Sequence, residues 1–163
     1  PGVLTLEEER VSPESIWPKL KMALNVAINN LVKTRAKEGQ ALQGYLRNQA
    51  EELRKELIAI KLRLRKALKG RLKTFATDEE RANFLKDTDT TEEIDRLRFH
   101  IHNFKSKLIK ACAIGKELDF IAQEMQREAN TLAAKTFDIS VSAQVLKMKS
   151  LIEKIREQAQ NIE

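Results

Sequence analysis

Glu124 and Glu128 stand four residues apart in the stretch GKELDFIAQEMQREANTLAAK, residues 115–135. A helix through them stacks both carboxylates on one flank, one turn apart. Two carboxylates so placed can face one hard divalent cation, which prefers oxygen donors. Glu117 or Asp119 could join them only where the fold brings them near. The rest of the stretch is sorted with the same period. At about 100° per residue, Leu118, Ile121, Ala122, Met125, Ala129 and Leu132 form one apolar stripe. Asp119, Gln123, Gln126, Arg127 and Asn130 fall on one side of it, and Glu117, Glu124, Glu128, Thr131 and Lys135 on the other. Solubility alone does not require this sorting. It suits a helix with one packing face and two polar flanks, used either for binding or for salt-bridge and amide networks between helices.

A second set of reactive groups lies upstream. His100 shares a helix edge with Glu93 and Arg96, so an imidazole, a carboxylate and a cation border the same apolar seam, whereas His102 falls on the opposite edge. The run KLRLRKALKGRLK, residues 61–73, carries Lys61, Arg63, Arg65, Lys66, Lys69, Arg71 and Lys73 with no acid among them. Such a helix can track a phosphate backbone, each neutralised phosphate releasing counterions; it can also be a solvated face over buried leucines. A membrane-surface helix is a third possibility, weakened by the lack of exposed bulky aromatics in the run. Cys112 is the one cysteine of the chain, which excludes an internal disulfide and a thiolate metal cluster and fits a reducing compartment.

These groups need elements to hold them, and the composition supplies helices. Of 163 residues, 33% are charged and only 5% aromatic, with five glycines and three prolines to make turns. The net charge of +6 favours phosphate-bearing partners. No apolar run approaches the roughly 18 to 20 residues that span a bilayer. A seam at Leu20, Leu24, Ala27 and Leu31 blurs around Gly39 and Gly44 and resumes at Leu53, Leu57, Ile60, Leu64 and Ala67. Its four-and-three spacing predicts a helix packed along another helix, with a bend or break at the two glycines. Thr77 or Asp78 is placed to cap a short helix through Phe84 and Leu85, and Thr90 with Glu93 has the spacing of a capping box. Further seams run through Ile94, Leu97, Ile101, Phe104 and Leu108, and through Val141, Val145, Met148, Ile152, Ile155, Ala159 and Ile162, the last from a start near Asp138 or Ser140. The expected fold is all-α: long antiparallel, coiled-coil-like helical arms with a smaller helical bundle. Its expected divisions are a linker over 1–14, a long arm over 15–76 and a bundle over 77–163.

Taken together, GKELDFIAQEMQREANTLAAK (115–135), EEIDRLRFHIHNF (92–104) and the ending IEKIREQAQNIE (152–163) resemble the helical C-terminal half of the bacterial YicC/YloC-like endoribonucleases. The likeness extends more weakly through KTRAKEGQAL (33–42) and PGVL (1–4). It differs at Phe99, Gln126, Ala133 and Ala134, where the family usually has a small hydroxyl residue, asparagine and Gly-Ser. The resemblance implies a cytoplasmic, divalent-metal-dependent (Mn or Mg) RNA-cleaving protein. It also implies a ring-like homo-oligomer, a hexamer being the expected form, and a preceding domain of comparable size. On that footing Asp119, Glu124 and Glu128 are the expected metal-binding and catalytic groups, with His100 as proton carrier or ligand. Arg96, Arg127, Lys135 and Lys116, with Arg63, Arg65 and Lys69 of the basic run, are the expected RNA-binding residues. The alternative reading is a helical assembly and RNA-binding scaffold whose cutting residues lie in the preceding domain, and a purely structural coiled coil is the third.

Overall fold

The computed structural model describes residues 12–109 and 115–162. Five helices follow one another in it: α1 (Pro13–Leu72), α2 (Asp78–Asp87), α3 (Thr91–Lys107), α4 (Gly115–Lys135) and α5 (Ile139–Ala159). No strand occurs among the described residues, so the fold is all-α, as expected. Most of the expected linker over 1–14, and Cys112, lie outside the described residues; of the linker, Pro13 and Glu14 are the first residues of α1. α1 is helical through Gly39 and Gly44, where a bend or break was expected, so the helix does not break there. Each glycine costs such a helix about 1 kcal/mol relative to alanine, a small penalty within a helix of sixty residues.

The chain divides into two compact units, residues 1–41 and residues 42–163. In the first, every described residue from Glu14 to Ala41 is exposed. The seam Leu20, Leu24 and Leu31 has the spacing of a packed face, yet each is more than half exposed, at 53%, 53% and 57%. The partner this seam calls for is not supplied by the described residues.

In the second unit the seams do pack. Leu53, Leu57, Ile60 and Leu64 of α1 are buried with Ile94, Leu97, Ile101, Phe104 and Leu108 at α3 and with the whole predicted stripe of α4. Val141, Val145, Met148, Ile152, Ile155 and Ala159 of α5 complete the same core, and Ile162 packs partly against it. Leu46 and Ala50 extend this core toward Gly44, further than the blurred pattern suggested. At roughly 1.5–3 kcal/mol for each fully buried large side chain, this layer drives the folding of the unit.

Local chemistry fixes the helix ends. Thr77 accepts the Glu80 amide at 3.2 Å while Glu80 accepts the Thr77 amide at 3.2 Å, a complete capping box for α2. Asp138 accepts the Val141 amide at 3.1 Å and starts α5. The box expected at Thr90 and Glu93 does not form. Asp89 accepts the Thr91 amide at 3.0 Å, and Glu93 is drawn sideways to Lys135 at 2.7 Å. Phe84 joins Phe75 and Phe137, ring centroids 5.0 Å apart in each case, which ties α2 to the α4–α5 connection. Two ion pairs at 2.6 Å, Glu51 with Lys105 and Glu56 with Lys147, link α1 to α3 and to α5.

Gly115 is where the backbone of α4 comes closest to the end of α5 for want of a side chain. A Cβ there would lie 2.2 Å from the carbonyl oxygen of Ile162 and 3.2 Å from that of Ala159. Nothing lies within 4 Å of a Cβ built at Gly44. Gly115→Ala should therefore lower the denaturant midpoint, by about 1–3 kcal/mol of stability, whereas Gly44→Ala should raise it by up to about 1 kcal/mol.

The Arg54 guanidinium and then the Lys105 ammonium hold the Glu51 carboxyl down at about 2, against an ordinary 4.5. A depressed carboxyl contributes stability above its unfolded value and loses it as the pH falls through the folded one. The stability advantage of the native chain over Glu51→Gln should therefore be full above about pH 4.5 and vanish toward about pH 2, as read from denaturant titrations at stepped pH.

Candidate functional site between α3 and α4

α3 and α4 pack antiparallel, and three charge pairs mark the rungs between them. Arg96 reaches Glu128 at 3.4 Å. Four residues on along α3 and four back along α4 lead to His100 and Glu124. Seven more in the same senses lead to Lys107 and Glu117, which pair at 2.7 Å. At the other end Glu93 meets Lys135 at 2.7 Å. The register thus brings the edge Glu93, Arg96, His100 against the flank Glu117, Glu124, Glu128, Lys135, two groups that helical periodicity had sorted separately. His100 and Glu124, both half-buried, occupy the positions that this spacing sets opposite each other between the Arg96–Glu128 and Lys107–Glu117 pairs.

The electrostatics of this groove are unusual for a surface feature. The side chains of Glu93 and Glu128 are only 7% and 8% exposed, although each is a carboxylate. Glu93 gives one oxygen to Lys135, and its Oε2 has no hydrogen-bond partner. That bond to Glu93 is the main reason the Lys135 ammonium titrates above its ordinary value. Arg96, 56% exposed, also pairs with Glu92 on its own helix, so its guanidinium bridges an exposed and a buried acid. A contact of 3.4 Å is at the weak end of charge-assisted hydrogen bonds, leaving Glu128 open to a better partner.

Asp119 is not brought to Glu124 and Glu128. It lies on the other flank of α4, where Arg156 of α5 and Gln160, the residue that caps α5, each reach its Oδ1 at 3.3 Å and Gln123 reaches its Oδ2 at 2.8 Å. Among the described residues no three His, Cys, Asp or Glu side chains converge closely enough to hold a metal ion by themselves. Arg127 and Lys116 are exposed on α4 outside the α3–α4 rungs, and Arg63, Arg65 and Lys69 are exposed on α1. The clamp on Asp119 by Arg156 and Gln160 was missed by helical periodicity, which sorts the faces of one helix but does not pair two helices. Both clamp residues lie in the terminal stretch IEKIREQAQNIE.

Residues 42–163, the whole of the second compact unit, match the family described as Endoribonuclease YicC-like, C-terminal. The chain belongs to this family. It is 33% identical to the probable endoribonuclease YicC of Clostridioides difficile (strain 630), across all of this chain and 61% of that protein. It is 29% identical to the probable endoribonuclease YicC of Haemophilus influenzae (strain ATCC 51907 / DSM 11121 / KW20 / Rd), with the same coverage on both sides. The chain thus spans about three-fifths of the length of these relatives. No helix among the described residues is long and apolar enough to cross a membrane.

The Glu93–Lys135 rung makes an asymmetric prediction. Removing the cation strands a buried carboxylate, whereas removing the carboxylate's charge lets the half-exposed lysine return to water. Lys135→Met should therefore lower the denaturant midpoint more than Glu93→Gln does, and the double variant should recover part of the loss.

Proposed function

We propose that this chain is the helical part of an RNA-cleaving protein and that the α3–α4 groove faces the scissile phosphate. The observation that carries the reading is the rung register. It gathers His100, Arg96 and Lys135 with Glu124 and Glu128 along one open edge, within a unit whose relatives are named probable endoribonucleases. Cleaving an RNA phosphodiester needs a proton taken from water or from the 2′-hydroxyl and stabilisation of charge growing on phosphate. His100, opposite Glu124, is the group to take the proton. Arg96 and Lys135 supply positive charge along the edge, with Arg127 and Lys116 as outlying phosphate contacts.

A divalent cation, Mn or Mg, belongs to this proposal. Glu124 and Glu128 fit it as hard oxygen donors one turn apart on α4, with Asp119 left to its clamp on α5. Magnesium commonly takes one or two carboxylates and completes its shell with water and substrate phosphate, so a cage of three protein ligands is not required. Bound there, such an ion supplies charge neutralisation and a more acidic water.

The cations of residues 61–73 support RNA as the partner. None of them forms a salt bridge among the described residues, while Lys105, Lys107 and Lys147 are spent on bridges within the bundle. The exposed seam of α1 in residues 1–41 supports a homo-oligomer that covers it, ring-like in the proposed form, working in the cytoplasm. One observation favours the scaffold reading as well: Asp119, Glu93 and Glu128 each already have a partner on a neighbouring helix.

The deciding measurement is cleavage of a labelled structured RNA with manganese, with magnesium and with chelator, beside a Glu124→Gln, Glu128→Gln double variant. Metal-dependent cutting that falls about a hundredfold or more in the double variant, with a thermal midpoint and assembly size close to those of the parent, is the expected result. Folded protein that binds RNA but never cuts it would move catalysis to the part of the relatives that this chain does not span.

A further inference from the structure

A cavity of about 390 Å³ opens within the second unit, between the basic run of α1, the turn joining α2 to α3, and Phe137. It adjoins the first α3–α4 rung, where the charge of Asp89 acts on Lys135, but it opens outside the edge that carries His100, Arg96, Glu124 and Glu128. Its size is at the lower end of the roughly 300–1,000 Å³ of small-ligand sites, enough for one nucleotide and too small for a duplex. Leu64, Leu85, Ile94 and Phe137 make its walls mainly apolar. The Phe137 ring is fixed by its edge contact with Phe84 at 5.0 Å.

Three polar features converge on these walls. Lys61 and Arg65, one turn apart on α1, both line the cavity, and neither is in an ion pair among the described residues. Thr90 also lines it; the residue is 8% exposed, and its side chain makes no cap hydrogen bond to α3. That hydroxyl is not committed to the start of α3 and can serve a ligand in the cavity as donor or acceptor. Asp89 adds a carboxylate with one oxygen committed to the Thr91 amide at 3.0 Å.

We infer that this cavity receives one unstacked nucleotide of a bound RNA. The base enters against Phe137 and the leucines, its edge meets the Thr90 hydroxyl and the Asp89 carboxylate, and its phosphate is held by Lys61 and Arg65. The inference rests on the proposal that the chain binds RNA, and the charge pattern favours RNA over a free metabolite. Lys61 and Arg65 open the acid-free run that continues through Lys66, Lys69 and Lys73, so neighbouring phosphates have cations to follow. Recognition of RNA by splayed bases on aromatic and apolar walls is the usual mode for single-stranded segments. The carboxylate beside the hydroxyl suits donors on a base edge and would repel a phosphate, which orients the nucleotide.

The test uses the full chain and a single-stranded oligoribonucleotide with one 2-aminopurine, beside a blunt RNA duplex of the same length, without divalent metal so that no cutting occurs. Leu85→Trp fills the cavity from a position already 42% exposed, so the core is untouched. Lys61→Ala, Arg65→Ala removes the cations. The parent should change the 2-aminopurine fluorescence on binding. Leu85→Trp should abolish that change and weaken the single strand about tenfold, in line with roughly 1–3 kcal/mol per stacked base, leaving duplex affinity unchanged. Lys61→Ala, Arg65→Ala should weaken the single strand and flatten its salt dependence. Equal binding and equal fluorescence change in Leu85→Trp would overturn the inference while leaving the RNA reading intact. No binding of either RNA by the parent would overturn both. Adenosine 5′-monophosphate that saturates the cavity as tightly as the oligonucleotide would also overturn it, by making a free nucleotide the occupant.

Discussion

Where Gly115 meets the carbonyl oxygens of Ile162 and Ala159 there is no room for a Cβ, and that approach sets where α4 begins against the end of α5. α4 is the middle member of the larger unit, packed on α5 along one side and on α3 along the other. Its apolar stripe is fully buried, so it cannot rotate without exposing Leu118, Met125 or Leu132 to water. Position along its axis and rotation about it are therefore both fixed before any polar group is considered. The polar flanks then fall where they must: Asp119 toward Arg156, and Glu124, Glu128 and Lys135 toward α3.

Burying charge in such a bundle is a poor way to gain stability. Removing a carboxylate from water costs several kcal/mol, and a well-packed apolar pair in the same volume often serves stability as well or better. The Glu93–Lys135 and Glu128–Arg96 rungs are thus explained either by register, since a slip of one turn would strand buried carboxylates, or by chemistry at the open edge. The unused Oε2 of Glu93 and the long Arg96 contact weigh toward chemistry, because a rung evolved for register alone has no reason to remain incompletely satisfied. The basic run shows the opposite economy. Leu64 is buried in the core while none of the run's cations forms a salt bridge among the described residues, so the same turns of α1 both hold the unit together and present charge outward.

Hydrophobic periodicity carried most of the fold. The stripes of α3, α4 and α5 could be read from spacing because each helix buries one apolar stripe with few aromatic or glycine interruptions. What was not legible depends on pairing between helices. Thr90 and Glu93 have the spacing of a capping box, yet a buried ion pair to Lys135, forty-two residues on, takes the glutamate instead. The aromatic cluster of Phe75, Phe84 and Phe137 joins segments that share no sequence period. For the site, periodicity separated the two flanks of α4 correctly but could not say which helix each would meet. Asp119 was accordingly grouped with Glu124 and Glu128, although it lies across the stripe from them. Only the register of two helices decides such questions, and register is a tertiary property.

The seam of residues 1–41 shows the same limit from the other side. Leu20, Leu24 and Leu31 recur as regularly as the leucines that α1 buries further on, but spacing records that a face packs and not what it packs against. Helices in water draw most of their stability from covering an amphipathic face, and a seam held at about half exposure obtains little of it. The family match and the compact second unit both begin at residue 42, so the larger unit is closed on its own core while the seam before it is not. The seam before residue 42 therefore has the spacing of a packed face without the burial that the leucines after it obtain.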